Sequence, residues 1–544
     1  MSLRLSSLLK LTVAGAAILS VGACKPADKG QGALKSEGIA ALNLSKSESG
    51  VFSKYFSTEP CDVDEMEALG ALAGLGLGES GVNGVSFASR EMKGSQVIYR
   101  DFAMREDGAD KETNAGTSAT AFSAKSVVFH CPKMGDEAPN FDRVDLTDIS
   151  IFDQKENVKI TAKTLNIASP TAEGARSIVE SMTVADASDM NGSGFGAISM
   201  TNAKMTSPKL SGSLATLSWG ENRNEDGRGK ADLTLDSLNL THLDADGETD
   251  MTLAFEGMSA RNLYMAAPVD ASSALSVDDM MENVMGNLNI FEKPYDELLV
   301  ETLKIDSEVF NLDFGGIEGI TTEKSGLITT RQTLLPTQIQ LKPALGEMPQ
   351  HKRNYDILKS LGFETMNMSA SSVTTLNANE DSISVTDGLF VVDDAMRLNF
   401  EYQADGLGAM TRKMKALAGT DADPMTAYDE LMLKNFRLTM EDNSIVGRGL
   451  KLASEMTGQS EKNLKRSLGM AVFAAAMAAE NEVQAEVYTE TAEAFAEFVK
   501  NGGTLTIEAN PPAPFPLAPL VTGKGEDVDP ATLGFSASQE GGVE

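Results

Sequence analysis

Between Gly84 and Met265 the chain consists largely of short segments in which apolar and polar residues alternate. Gln96-Val97-Ile98-Tyr99, Ser126-Val127-Val128-Phe129, Val144 to Ile151, Val158 to Ile167 and Ser181-Met182-Thr183-Val184 open the series. Gly196 to Met200, Leu214 to Trp219, Ala231 to Leu240, Met251 to Phe255 and Ala260 to Met265 continue it. A period of two sends successive side chains to opposite faces, so each segment reads as a strand with one buried and one wet face. Clusters of Gly, Asn and Asp between them supply the turns. Several segments share a loose form, such as Leu233 to Leu240 and Val158 to Ile167, without a countable period. This quasi-repetition fits a sheet extended by adding similar strands better than a compact Greek key. The expected fold class is mainly β with α (α+β): a long, curved, mostly antiparallel quasi-repetitive sheet with inserted helices and a C-terminal helical subdomain.

The alternation pauses at Ser276 to Phe291, where Met280, Met281, Val284, Met285 and Leu288 form a helical stripe. It reads as a helix packed on the sheet. Strands resume at Leu298 to Ile305, Val309 to Phe314, Gly326 to Thr330 and Gln338 to Leu341. A helical piece, Tyr355 to Leu361, precedes strands at Thr365 to Leu376, Ser382 to Val392 and Met396 to Tyr402. Beyond them Ala409 to Ala418, Pro424 to Met432, Ser444 to Met456, Glu461 to Ala479 and Asn481 to Lys500 read as helices, with strands at Phe436 to Met440 and Thr504 to Glu508. Leu468 to Ala479 is apolar over 12 residues. That is too short to cross a bilayer and suits a buried alanine-rich helix, insertion into a lipid surface being the lesser reading. The run Pro511 to Pro516 must be extended, because proline fixes φ and lacks a donor.

The N-terminus gives an address. Arg4 and Lys10 precede the apolar run Leu11 to Ile18, and small residues lead to Cys24. This is the layout of a secretory signal. Val21-Gly22-Ala23-Cys24 resembles a bacterial lipobox, which implies that Cys24 is acylated and becomes the first mature residue. More than one lipid chain would hold the protein stably at a membrane, and Lys25 after the cysteine favours the outer membrane. Removing the signal leaves 44 basic against 79 acidic side chains, a net charge of −35, which repels nucleic acid. With Cys24 lipidated, Cys61 and Cys131 remain as a pair, and an oxidising compartment would join them in a structural disulfide. Lys25 to Gly50, rich in Lys, Gly, Ser and Ala, reads as a flexible tether, and Asp62 to Leu77 as a helix running into glycines.

Two resemblances concern larger parts of the chain. Leu438 to Val446, Gly503 to Glu508 and the proline run through Leu520 resemble the C-terminal ends of uncharacterised alphaproteobacterial envelope proteins. The strand-rich body is similar to AsmA-like proteins, whose elongated β-grooves are associated with lipid handling. Neither resemblance carries functional residues to this chain.

Motifs for chemistry are sparse. Gly76 to Gly81 satisfies GxGxxG, but a helical pattern precedes it and no βαβ context surrounds it. His130, His242 and His351 are far apart and stand in no metal-ligand spacing. His130, beside Cys131, reads as a neighbour of the disulfide. There is no GxSxG elbow. Asn222, Asn224, Asp226 and Gly227 fit the start of an EF-hand loop, yet Leu233 stands where a bidentate Glu is needed. Asp244, Asp246, Glu248 and Asp250 form a second acidic turn, and both read as hairpin turns. No catalytic, cofactor or metal residue is assigned.

The organisation expected is a signal peptide over 1–23, a tether over 24–50, a β-rich domain with an N-terminal helix over 51–268, its continuation over 269–403 and a helical subdomain with a closing strand and Pro-rich segment over 404–544. The leading functional expectation is a non-enzymatic, lipid-anchored protein of the cell envelope, outer membrane first. Its partners would be the membrane through Cys24 and a lipid ligand or an envelope protein, and not nucleic acid. The 27 methionines suit irregular apolar ligands. A scaffold for outer-membrane or surface components is the alternative, and an envelope hydrolase the third class.

Overall fold

Segments that alternate in sequence become strands, and each strand lies beside its neighbour in the chain. The computed structural model describes residues 49–56, 61–81, 84–105, 120–135, 139–153, 157–168, 175, 196–223, 229–244, 246–265, 293–417, 424–467, 482–517 and 532–541. These form two compact units, one of 49–265 with 297–307 and one of 293–296 with 308–541.

The first unit opens with helices α1 (Ser49–Phe56) and α2 (Glu65–Gly74). Asp64 accepts a hydrogen bond from the Glu67 amide at the start of α2, and Gly76, at φ 85°, follows its end. A capping carboxylate and a left-handed glycine satisfy end groups that the helix cannot pair itself. The strands are β1 (Val85–Ser86), β2 (Ser89–Lys93), β3 (Gln96–Arg105), β4 (Thr120–His130), β5 (Lys133–Met134), β6 (Pro139–Asn140), β7 (Arg143–Asp153) and β8 (Val158–Ala168). They continue with β9 (Ala197–Thr206), β10 (Leu210–Arg223), β11 (Gly229–Leu243), β12 (Thr249–Met265), β13 (Glu297–Val300) and β14 (Leu303–Ser307). β5 and β6 pair with each other. β1 and β2 pair with β3, and from there the ladder runs β3–β4–β7–β8–β9–β10–β11–β12, with β13 and β14 both on β12. Every pairing is antiparallel, which short turns suffice to connect.

One irregularity repeats in each of the eight strands of the ladder from β3 to β12. On the apolar face side chains step by two, except for an aligned step of three: Tyr99 to Phe102, Val127 to Ala124, Leu146 to Ile149, Leu165 to Ala162, Met200 to Ala203, Leu217 to Leu214, Leu235 to Leu238 and Met258 to Phe255, with a further bulge at Asn262 of β12 alone. These steps are in register. Within them Asp101, Asp148, Asn202 and Ser237, on alternate strands of the ladder, take φ of 49°, 49°, 48° and 53°. Positive φ is costly for most side chains and least so for Asn and Asp. The outcome is a continuous crease across eight strands that re-phases the pleat, so both halves present the same apolar face.

The second unit contains β15 (Phe310–Phe314), β16 (Ile317–Lys324), β17 (Leu327–Leu341), β18 (Thr365–Asn377), β19 (Ser382–Val392), β20 (Met396–Asp405), β21 (Met432–Asp442), β22 (Gly503–Ala509), β23 (Phe515–Pro516) and β24 (Phe535–Glu540). β15 and β16 pair with β17, the ladder continues β17–β18–β19–β20–β21–β22–β24, and β23 adds to β21. Between strands are inserted α3 (Pro343–Glu347), α4 (Pro349–Ser360), α5 (Leu407–Leu417), α6 (Ile445–Thr457) and α7 (Glu482–Asn501). Pro343 and Pro349 open their helices, where a missing amide costs nothing. α5 packs Leu407 and Met410 on Ile383 and Ala404, and α7 packs Ala494 and Phe498 on Leu505.

The mainly β, antiparallel fold with inserted helices matches the expectation. Details differ: 327–341 is a single strand where the sequence shows two segments, and 297–307 is two strands where it shows one. β16 and β24 carry too few apolar residues to announce themselves. Residues 1–48, Ser181 to Val184, the stripe at Ser276 to Phe291 and Leu468 to Ala479 lie outside the described residues.

Candidate functional site

Cross-strand partners share a face and alternate residues repeat it, so the register maps the apolar surface of the first unit directly. One row runs Val97, Phe129, Val144, Ile167, Ile198, Trp219, Leu233, Ala260 and Leu298. The next runs Tyr99, Val127, Leu146, Leu165, Met200, Leu217, Leu235, Met258 and Val300. Beyond the crease lie Ala203, Leu214, Leu238, Phe255 and Leu303, then Met205, Gly212, Leu240, Leu253 and Ile305. Over β3 to β8 this face is sealed by Ala68, Leu72 and Leu77 of α2 and its loop, which pack on Tyr99, Phe129 and Leu146. Burial of the Tyr99 ring raises its pKa, and its hydroxyl donates to the Leu77 carbonyl at 2.8 Å.

From β9 onward the rows stay apolar but the sealing fades: Ile198, Met200 and Leu214 still pack against that core, and the residues beyond them do not. Ile198, Met200, Leu214, Leu217, Trp219, Leu233, Leu235, Leu238, Leu253, Phe255 and Met258 are all only partly buried, whereas Thr252, Ala254 and Glu256 on the other face of β12 are exposed. A half-wet apolar surface of this extent is where a ligand or partner gains most from excluding water.

The opposite face carries a strap. The row Gln96, His130, Arg143, Ala168, Ala197, Gly220 and Asp232 crosses seven strands, and its small members leave room for α1. A Cβ on Gly220 would run into the Tyr55 ring. Asp232, 4% exposed, accepts from Lys54 Nζ at 2.8 Å, Tyr55 Oη at 3.0 Å and the Asn262 amide at 3.1 Å. Burial alone would raise the Asp232 pKa, but the bonds from Lys54, the Asn262 amide and Tyr55 outweigh it and hold the carboxyl below its ordinary range. The bond to Asp232 raises Lys54 in turn.

At the other end of the row Arg143 Nη1 donates to the Phe56 carbonyl, and its Nε and Nη2 reach Asp145 Oδ2 at 3.1 and 2.7 Å. His130, 6% exposed, places Nε2 2.7 Å from the same oxygen, with Gln96 Nε2 3.3 Å from Nδ1. Arg143 Nη2 lies 3.1 Å from His130 Nε2, so His130, Arg143 and Asp145 form one polar cluster. Burial pushes Asp145 up, yet His130 and Arg143 hold it below its ordinary value. Cys61 and Cys131 are joined, with Cα atoms 6.1 Å apart, which ties the chain after α1 to the end of β4.

Of the other residues singled out, His242 Nδ1 pairs with Asp250 Oδ1 at 2.6 Å across the β11–β12 hairpin. Asp244 Oδ1 accepts from the Asp246 and Glu248 amides, both at 2.9 Å, so this acidic turn is held by its own backbone. His351 lies in the first turn of α4. In the glycine-rich loop the Gly81 amide bonds the Val85 carbonyl, and Arg90 donates to the Gly78 carbonyl. Among the described residues no group of three or more His, Cys, Asp or Glu is placed to hold a metal. Asn224, Asp226 and Gly227 and the lipobox with Cys24 lie outside the described residues.

A family model described as "Uncharacterized protein" matches residues 389–540. The match begins within β19 and runs through β24 with α5, α6 and α7. It contains the Leu438 to Val446 and Gly503 to Glu508 strings. No curated protein matches the chain.

Proposed function

We propose that this chain is a lipid-anchored protein of the cell envelope, tethered through Cys24 and sorted to the outer membrane, and that it binds its ligand without converting it. The ligand is lipid, held with its acyl chains against the apolar face of β9 to β14. The half-buried rows on that face carry the reading. Five strands from β9 to β13 span about 19 Å at the ordinary strand spacing. That compares with about 15 Å for the hydrocarbon of one leaflet. Met200, Met205 and Met258 on these rows give the surface adaptable side chains. The Cys61–Cys131 bond suits an oxidising compartment, and the lipobox and the likeness to AsmA-like proteins point the same way.

The test is to export residues 25–544 to the periplasm without the acylated cysteine, purify the protein in mild buffer and extract it for mass spectrometry. Stoichiometric lipid, lost on replacing Leu217, Leu235 and Met258 with Asn, is the expected result. A lipid-free, monodisperse protein sinks the reading, and recovery instead in a stable complex with an envelope protein would establish the scaffold role. Palmitate labelling of the full chain, abolished by Cys24→Ser, tests the anchor separately.

A further inference from the structure

The chain carries a net charge of −33, but one part of the second unit has the opposite balance. Residues 349–360 and 445–457 hold five Lys and Arg against two Asp and Glu. Helices α4 and α6 lie side by side there and enclose an open groove. Lys352, Arg353 and Ile357 of α4 face Leu452 and Met456 of α6 across it. Two acids share the lining: Asp356, paired with Lys352 at 3.0 Å, and Glu455. Met456, on the groove's rim, is 63% exposed. Lys352, Arg353 and Lys451 are exposed as well.

We infer that the face formed by α4 and α6 docks on the anionic headgroup surface of a lipid bilayer. Exposed Lys and Arg around apolar side chains that can enter the headgroup layer are the features of a peripheral membrane contact. The rest of the molecule, being strongly acidic, is repelled by the same surface, so the attraction is confined to this face and sets the orientation of approach. This contact is independent of Cys24 and of the lipid-binding face of the first unit, and neither reading fails if the other does.

Residues 25–544, which keep every described residue, are mixed with vesicles of phosphatidylcholine and phosphatidylglycerol at 3:1 and with phosphatidylcholine alone, and bound protein is separated by flotation. Binding to the anionic vesicles only, falling as salt is raised, is expected. Each basic side chain near such a surface is worth about fivefold in partitioning, so K352E with R353E lowers it by at least about 25-fold. M456E lowers it too, whereas K159E with K204E on the first unit leaves it unchanged. Far-ultraviolet circular dichroism and the unfolding midpoint confirm that each variant is folded. Absence of binding to anionic vesicles, equal loss in the first-unit control, or retention on a DNA oligonucleotide without vesicle binding would each overturn the inference.

Discussion

Asn202 isolates the crease from everything else in the sheet. It is exposed, sits in the middle of β9 and holds φ at 48°. A β-branched side chain forced into that region pays about 1–2 kcal/mol. Glycine pays nothing there, but gives back roughly 0.5–1 kcal/mol through the freedom of the unfolded chain. Asn202→Val should therefore destabilise the first unit by about 1–2 kcal/mol, and Asn202→Gly should stay within about 0.5 kcal/mol of the parent. The control is Asn239→Val, an exposed asparagine on β11 without positive φ, where valine should be neutral or mildly favourable. The assay is built in. The protein has a single Trp, Trp219, paired with Ile198 of β9, so its fluorescence in a urea titration reports this part of the sheet. With an m-value of about 3 kcal/mol/M, the valine variant lowers the midpoint by roughly 0.3–0.7 M. If Asn202→Val unfolds no earlier than Asn239→Val, the crease is not held by left-handed residues and the account of the re-phased pleat is wrong.

Other perturbations follow from the strap. Replacing both Cys61 and Cys131 with Ser should cost about 2–5 kcal/mol, read as a lower thermal midpoint that matches the reduced parent. Gly220→Val drives a side chain into the Tyr55 ring, and limited proteolysis should then cut near α1 while the Trp219 signal stays native. Asp232 and Asp145 are both held below their ordinary value of 3.8. Their contribution is therefore complete above that pH and is lost as the pH falls through the lower folded values. Asp145→Asn should flatten the acid limb of stability against pH, and an unchanged limb would count against the His130–Arg143–Asp145 network.

Much of the strand order was legible, because segments such as Val144 to Ile151 keep their apolar residues on one face and pair with their chain neighbours. The crease is legible only in retrospect. Val144-Asp145-Leu146-Thr147-Asp148-Ile149-Ser150-Ile151 contains one polar pair where alternation calls for a single polar residue, and the same slip recurs at Thr201-Asn202 and Asp236-Ser237. Taken singly, each looks like imperfect alternation; only the register shows that the slips align. The strap left no local signal at all. Lys54 and Asp232 are 178 residues apart in the chain, and nothing near either announces the other. β24, Phe535 to Glu540, alternates Phe, Ala and Gln with Ser and Glu, too weak a contrast to stand out. The half-wet apolar rows were foreseeable as an apolar face, but where their cover stops depends on how far α2 and its loop reach, which is a matter of tertiary packing.

The disulfide also settles how the molecule bears a pull. Cys61 and Cys131 are 70 positions apart in sequence, and tension arriving from the N-terminal side crosses the sulfur bridge instead of running through the residues between. α2 and β1 to β4, which carry many of the fully buried side chains of the first unit, hang as an unloaded loop. Once past the α1 strap, the load enters at Cys131 and passes toward β7, a strand hydrogen-bonded on both sides. Opening the bridge would place those 70 residues in the line of force, up to about 240 Å of extended chain.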